Sequence, residues 1–164
     1  MSQLANERVA WFNGDFMPER EVRIPFRDSS WVYGDGCFDM TRTFGHRLFK
    51  VKEHVDRLYR SLAYVRIDPG LSPDEMERIS EEVITRNEPL REHVGDYQIW
   101  QFVTRGRGRW AHRAGPPAVG VCVRQIGFSR FAGLYDTANL TAVKRETDPH
   151  DRLTGLYEKA VKLK

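Results

Sequence analysis

Two basic side chains three residues apart are the first candidates for chemistry in this chain. His54 and Arg57 lie early in a segment with helical periodicity, on a face that differs from that of the apolar Val55 and Leu58. A guanidinium is permanently charged and its fork fits phosphate oxygens, so this face could bind an anion. Most helical arginines, however, lie on a solvated polar face, and by themselves these residues favour that simpler interpretation.

A second candidate, Arg105, ends an apolar segment and opens a basic loop with two glycines, residues 105–110 (RGRGRW). Such a loop can place a guanidinium at the rim of a cleft, or it can simply be a solubilising loop. Arginines beside an aromatic residue also occur in proteins that bind nucleic acid by backbone contacts and stacking. One short run in a chain of net charge +3 is a weak signal for that function, so we expect no nucleic-acid partner.

The stretch that would position these groups is residues 30–44 (SWVYGDGCFDMTRTF), a loop with two glycines that runs into a predicted strand. Gly34 and Gly36 flank Asp35, which suits a backbone that needs positive φ or close approach by a ligand or another chain. Strand alternation then places two sets on opposite faces: Phe38, Met40, Arg42 and Phe44 against Asp39, Thr41 and Thr43. Arg42 is therefore a charged residue on a mostly apolar face.

The order of the predicted elements is strands, then helices, then strands, which indicates an α+β fold with an antiparallel sheet and two amphipathic helices. Asn13-Gly14 predicts a tight hairpin turn, and Ser72-Pro73 followed by Glu75 predicts a capped helix start. We expect strands at 9–12, 15–17, 37–44, 47–50, 97–104, 118–124 and 139–145, and helices at 51–65, 72–88 and 153–161.

Composition excludes several classes of function. At 164 residues the chain can bury a core, and it has neither an apolar run of membrane-spanning length nor a basic-then-apolar leader. Its two cysteines are far apart and lack metal spacing, which indicates reduced thiols in a cytoplasm. The five histidines are scattered, so we expect no metal site. Because no apolar run is long enough to span a membrane, we also expect no membrane partner.

Together these pieces resemble the class IV family of pyridoxal-phosphate enzymes, which holds branched-chain aminotransferases, D-amino-acid aminotransferases and aminodeoxychorismate lyases. The resemblance spans about residues 8–125 and rests on motifs in a specific order: FNG at 12–14, YGDGCFD at 33–39 with Arg42, GHRLF at 45–49, HVDRL at 54–58 with Ser61, and VTRG at 103–106. It implies a small N-terminal domain over residues 1–125. Residues 126–164 would be an interdomain segment and the beginning of a larger cofactor-binding domain.

The resemblance also implies a cofactor, a reaction and roles for particular residues. The cofactor would be pyridoxal 5′-phosphate, and a homodimer would transfer an amino group from an amino acid to a 2-oxo acid. Arg57 matches the arginine that grips the cofactor phosphate, and Tyr33 and Phe38 match residues that line the substrate pocket. Arg105 matches an arginine that in D-amino-acid aminotransferases helps to hold the substrate carboxylate, and Arg42 is a second candidate for that task.

The catalytic lysine is where this sequence departs from the family pattern. The family lysine forms a Schiff base with the cofactor and shuttles the α-proton, usually in a Pro-x-x-Lys context. Here Arg152 stands three residues after Pro149. Spacing from Arg145 makes Lys159 the best candidate, with Lys162 behind it, although both could be solvated lysines on a terminal helix.

A second departure concerns length. Family members continue into a large domain that supplies the glutamate for the pyridine nitrogen and the rest of the phosphate cup. We therefore expect either a partial chain, which the uncapped final helix favours, or a truncated scaffold that acts as a dimerisation or binding module. A lyase on the same scaffold is the nearest enzymatic alternative to the transaminase.

Overall fold

A computed structural model of the chain describes residues 7–90, 95–107 and 115–126, whose strands form one six-stranded antiparallel sheet. The strands are β1 (Val9–Phe12), β2 (Asp15–Pro18), β3 (Gly36–Phe44), β4 (Arg47–Leu48), β5 (Asp96–Thr104) and β6 (Val119–Ile126). Their order across the sheet is β2-β1-β6-β5-β3-β4. The helices are α1 (Ser29–Tyr33), α2 (Val51–Val65) and α3 (Pro73–Asn87), with short 3₁₀ turns at Glu19–Glu21 and Glu88–Leu90. The α+β prediction is confirmed.

The first hairpin shows how local sequence specifies a turn. Asn13 and Gly14 both have positive φ, 50° and 110°, which a two-residue primed turn requires and which these residue types tolerate. Phe12 then lies directly opposite Asp15 in the register of β1 and β2. The predicted hairpin is therefore confirmed.

Helices α2 and α3 cover one face of the sheet and bury their apolar stripes there. Helix α2 packs against β3 and α3, and α3 packs against β6, β1 and β5. Helix α3 starts as predicted, because the Glu75 carboxylate accepts a hydrogen bond from the Ser72 amide (2.7 Å) and the Glu75 amide donates to the Ser72 hydroxyl (3.2 Å). The side chains buried from the two helices include Val51, Val55, Leu58, Leu62, Met76 and Val83.

Strand β3 turns its polar face, not its apolar one, toward the helices. Its buried side chains are Asp39, Thr41 and Thr43. A buried polar group is tolerated when it is hydrogen-bonded, and the Thr43 hydroxyl accordingly donates to the Asp96 carboxylate at 2.6 Å. Phe38, on the opposite face, is 65% exposed. The predicted alternation is present, and the apolar side of the strand faces outward.

Helix α1 lies where the sequence predicted only a loop. The Asp28 carboxylate caps it by accepting hydrogen bonds from the Ser30 amide (2.8 Å) and the Ser30 hydroxyl (2.7 Å). Gly34 ends it with φ of 68°. Strand β4 is two residues shorter than predicted, because α2 begins at Val51 with Lys50 as its N-cap.

Several predictions fall outside the described residues. These are the strand at 139–145, the helix at 153–161 and the second half of the basic loop at 108–110. The expected domain boundary after residue 125 stays a prediction. Within the described ranges, no helix has both the length and the apolar character needed to cross a membrane.

Candidate functional site

Arg57 reaches from α2 toward β3 and forks onto the carboxylate of Asp39. Its Nε lies 2.6 Å from Oδ2 and its Nη2 lies 2.8 Å from Oδ1. The Asp39 side chain is 3% exposed, whereas that of Arg57 is 59% exposed. A two-pronged guanidinium–carboxylate contact of this kind is strong and fixes the orientation of both groups. The guanidinium is therefore held along one edge, and Nη1 takes no part in that contact.

His54, one turn before Arg57 in α2, completes the surroundings of Asp39. Its Nδ1 lies 2.7 Å from Asp39 Oδ1 and 3.2 Å from Arg57 Nη2. Because an ionised carboxylate only accepts, Nδ1 must carry the hydrogen in this contact. The Met40 amide donates to the same oxygen at 2.7 Å. Oδ1 thus receives three donors and Oδ2 receives the Arg57 Nε.

These contacts set the protonation of the pair. Burial by itself raises the pKa of the Asp39 carboxyl, but the hydrogen bonds and charges of Arg57 and His54 outweigh burial and hold that pKa below its ordinary value. The hydrogen bond to Asp39 in turn raises the pKa of Arg57. Asp39 is therefore ionised at neutral pH, and Arg57 is a permanently charged group with a fixed plane.

Arg105 joins the glycine loop, residues 34–36 (GDG), to the end of α2. Its Nε and Nη2 contact the Asp35 carboxylate at 2.7 and 3.1 Å. Its Nη2 and Nη1 also donate to the carbonyls of Val65 (2.8 Å) and Arg66 (3.0 Å), which close the C-terminus of the helix. The hydrogen bond to Asp35 raises the pKa of Arg105. These contacts make Arg105 a structural bridge.

Arg42 lies at the other end of β3. Its guanidinium stacks over the Phe44 ring at 4.2 Å and its Nη2 is 3.7 Å from an Asp96 carboxylate oxygen. In the register of β3 and β5, Gly36 faces Thr104 and Arg42 faces Gln98, so Arg42 and Arg105 flank opposite ends of a stretch of about 20 Å. The two arginines therefore cannot both bind one small carboxylate.

Tyr33 and Phe38 lie near the beginning of β3 and are both exposed. Phe38 stacks on Trp100 with ring centres 5.6 Å apart and planes 14° apart, and Tyr33 is the last residue of α1. Gly34 between them has positive φ, and a Cβ on Gly36 would lie 2.8 Å from the Val103 carbonyl oxygen. The positive φ expected of this turn is thus present at Gly34, whereas the close approach at Gly36 comes from strand β5 of the same chain and not from a ligand or another chain.

The outer edge of β3 brings these groups together. Strand β4 pairs with β3 only at Thr43 and Phe44, and within the described ranges no other strand borders residues 36–42 on that side. Phe38 and Asp39 are adjacent in the strand, with Phe38 on the open face and the Arg57–Asp39 pair on the helix face. A ligand that lies across this edge could contact both. This edge is the candidate functional site.

Two acidic partners were not identified from the sequence. The sequence predicts only a strand face for Asp39 and only a turn for Asp35, whereas the structure pairs Asp39 with Arg57 and Asp35 with Arg105. The available signal was the run of polar residues on one face of β3, which requires partners if that face is buried. The structure does not describe three residues of the predicted catalytic region, Arg152, Lys159 and Lys162. Within the part of the chain that it does describe, no group of three or more His, Cys, Asp or Glu side chains could hold a metal ion.

Comparison with known proteins gives a consistent picture. The model of a family described as amino-transferase class IV matches residues 36–150. The D-alanine aminotransferase of Staphylococcus haemolyticus is 30% identical over 109 residues, which is 66% of this chain and 37% of that protein. A putative branched-chain-amino-acid aminotransferase of Methanocaldococcus jannaschii is 35% identical over 98 residues, 60% of this chain and 32% of that protein. This chain thus spans about a third of the length of these relatives.

Solved structures share the fold described above. A T.th. branched-chain amino acid aminotransferase, solved with pyridoxamine 5′-phosphate, superposes with a TM-score of 0.65 at 26% identity and covers 74% of this chain and 41% of its own. The branched-chain aminotransferase of Escherichia coli gives a TM-score of 0.64 at 19% identity over 74% of this chain and 41% of its own, a likeness of fold alone.

Proposed function

We propose, since this chain belongs to the amino-transferase class IV family, that it supplies the phosphate grip and part of the substrate pocket of a pyridoxal-phosphate-dependent aminotransferase. The enzyme would transfer an amino group from an amino acid to a 2-oxo acid. The observation that carries the proposal is the Arg57–Asp39 pair, because it presents a fixed, charged guanidinium edge beside an apolar strand edge. Phosphate oxygens are natural partners for such an edge.

The described residues fit the phosphate end of the cofactor. Arg57 would hold the phosphate through the part of its guanidinium that Asp39 leaves uncovered. When bound, pyridoxal phosphate supplies an electron sink that stabilises negative charge at the substrate α-carbon. Phe38 and Tyr33 would contact the substrate from the open face of the sheet, and Lys159 is proposed to move the α-proton.

Of the two arginines considered for the substrate carboxylate, we favour Arg42. By strand alternation it shares the face of Phe38, and its guanidinium stacks over the Phe44 ring and lies 3.7 Å from an Asp96 carboxylate oxygen. Arg105 instead donates to Asp35 and to the carbonyls of Val65 and Arg66. In a steady-state assay, Arg42→Ala would then raise KM for the amino donor more than Arg105→Ala does.

Covalent trapping of the cofactor tests the proposal. The purified chain is mixed with pyridoxal phosphate, its absorbance is recorded, and the complex is reduced with borohydride and mapped by peptide mass spectrometry. A shifted band with a pyridoxyl label on Lys159 or Lys162 supports the enzyme. An unshifted spectrum without label contradicts catalysis by this chain. Transfer of the amino group to an added 2-oxo acid separates a transaminase from a lyase, which needs no such acceptor.

A non-catalytic role is the second candidate, because Arg152 stands where the family pattern has its lysine. In that case the chain would be a scaffold that contributes a dimerisation or binding surface. The test compares the wild type with Arg152→Lys. An inactive wild type whose activity is restored by Arg152→Lys would favour this alternative.

Assembly and location are also proposals. We propose a homodimer because three large apolar side chains in and just before α1 are exposed, Phe26, Trp31 and Val32, and exposed apolar surface often marks interfaces. We propose a cytoplasmic location because Cys37 and Cys122 are free thiols, as is typical of a reducing compartment.

A further inference from the structure

We propose that Asp39 is a positioning residue for Arg57: it fixes the guanidinium so that phosphate binds more tightly with this negative charge present than with it removed. The inference rests on the proposed function, because it concerns how the same phosphate grip is built. It goes beyond that function by assigning a role to a carboxylate that itself contacts no phosphate. The competing possibility is that Asp39 is an internal counter-ion that a bound phosphate must displace.

The geometry favours positioning over displacement. Asp39 uses the Nε side of the fork, through Nε and Nη2, and so leaves the Nη1 end for another anion. A guanidinium has five N–H groups in one plane, enough to serve a carboxylate and a phosphate on different edges. The two anions therefore need not compete for the same hydrogens.

The anchoring of Asp39 points the same way. Its side chain is 3% exposed, and His54 Nδ1 and the Met40 amide both donate to it at 2.7 Å. It therefore stays in place irrespective of what Arg57 binds. Arg57, in contrast, extends from α2 on a long side chain with 59% exposure. Without Asp39 that side chain would regain rotamer freedom, which a bound phosphate would then have to restrict again.

Charge and positioning predict opposite results, so one substitution distinguishes them. Replacing Asp39→Asn removes a negative charge close to the site, and simple electrostatics predicts tighter phosphate binding. Positioning predicts weaker binding, because the asparagine amide has only one acceptor oxygen and an NH₂ donor in place of the other, so it cannot accept from both prongs of the Arg57 fork. We expect the dissociation constant for inorganic phosphate, measured by titration calorimetry or NMR, to rise by about threefold or more.

Asp56→Asn is the matched control. Asp56 neighbours Arg57 in α2 but faces Lys52, at 3.6 Å, and is 41% exposed. This variant has the same change in net charge and leaves the Arg57–Asp39 contact intact, so its phosphate affinity should be equal to or slightly above that of the wild type. Circular dichroism and a dispersed amide spectrum establish that each variant is folded.

Two further measurements decide the matter even if Asp39→Asn fails to fold. Arg57→Lys keeps the charge without the fork and should bind phosphate about tenfold more weakly. In the wild type, the Arg57 Nε–H signal should stay protected from exchange when phosphate is added, because its bond to Asp39 persists. Loss of that protection, equal affinity of Arg57→Lys, or unchanged or tighter binding by folded Asp39→Asn would each overturn the inference.

The same titrations separate this inference from the proposed function. If the wild type binds no phosphate, or binds it no better than Arg57→Ala, then Arg57 is not a phosphate ligand and both proposals fail. If Arg57→Ala abolishes binding but Asp39→Asn does not weaken it, the phosphate grip stands and only the positioning role is lost.

Discussion

Asp39 combines burial with a full set of hydrogen-bond donors. Arg57 donates twice, and His54 and the Met40 amide once each. A buried carboxylate is unfavourable unless it is paired and hydrogen-bonded, and each donor that it gains favours its charged form. The residue therefore contributes to stability and to the candidate site by the same contacts.

This pairing predicts an acid-dependent stability. The folded-state pKa of Asp39 lies below its ordinary value of 3.8, so its contribution is fully present above the unfolded pKa and is lost as pH falls through the folded pKa. Asp39→Asn should lower the free energy of unfolding by about 1.5–3 kcal/mol at pH 7, and the difference from the wild type should shrink below about pH 4. Urea unfolding at pH 7 and pH 3 measures this. A difference that is independent of pH would contradict it, and the exposed Asp56→Asn should change stability by under about 0.5 kcal/mol.

Any side chain larger than hydrogen at position 36 of β3 should clash with the neighbouring strand. A Cβ there would lie 2.8 Å from the Val103 carbonyl oxygen, which is backbone that cannot simply rotate away. Gly36→Ala should therefore lower the free energy of unfolding by about 1–3 kcal/mol, as overpacking does. Thermal unfolding measures the loss. Gly34→Ala is an informative comparison, since it has open space but positive φ, and a smaller loss for Gly36→Ala than for Gly34→Ala would contradict the steric argument.

Among the elements, the end of α2 depends on a residue from another part of the chain. Arg105 donates to the carbonyls of Val65 and Arg66 and pairs with Asp35. The last carbonyls of a helix lack partners within it, and Arg105 supplies two of the missing donors. One side chain thus connects α2, the glycine loop and the end of β5.

A double-mutant cycle tests this bridge. Arg105→Ala and Asp35→Asn should each lower the free energy of unfolding by about 1–2 kcal/mol, and their effects should be less than additive because they remove the same contact. Urea unfolding of both single variants and the double variant measures the coupling. Strict additivity would show that Arg105 and Asp35 are not coupled and would contradict the bridge. A large rise in KM for Arg105→Ala without a loss of stability would instead indicate that Arg105 acts on the substrate.

For the molecule as a whole, the most informative feature is the set of exposed apolar side chains in and just before α1. Phe26, Trp31 and Val32 are 81%, 72% and 49% exposed. Large exposed apolar patches of this kind mark interaction sites. The proposed homodimer would bury this surface.

Sedimentation measurements test the assembly. Trp31→Ser should shift the protein toward the monomer by about tenfold or more in dissociation constant, because large aromatic residues dominate interface energies. Tyr64→Ser is the control, since Tyr64 is 90% exposed but lies on α2, in the layer on the other side of the sheet. A wild-type monomer at high concentration, or equal effects of the two substitutions, would contradict an interface at this patch.

The features that could be predicted from the chain alone are those with local causes. The Asn13-Gly14 turn, the capping box at Ser72 and the apolar stripe of α2 each depend on residues a few positions apart, so periodicity and turn chemistry suffice. The ordered motifs also identified the family. Periodicity alone predicts only a solvated polar face for Arg57; its phosphate role is implied by the resemblance to the family, and its contacts with Asp39 are not predicted at all.

Contacts between residues that are distant in the sequence could be identified only from the folded structure. Asp39 meets Arg57 and His54 only because α2 packs on β3, and Arg105 meets Asp35 only because β5 pairs with β3. Alternation in a strand separates its two faces but does not say which one is covered. Here the covered face is the polar one, because its side chains find partners on neighbouring elements. Tertiary packing therefore gave Asp39 and Thr43 hydrogen-bond partners on other elements, and among the described residues it left Phe38, on the opposite face of β3, exposed.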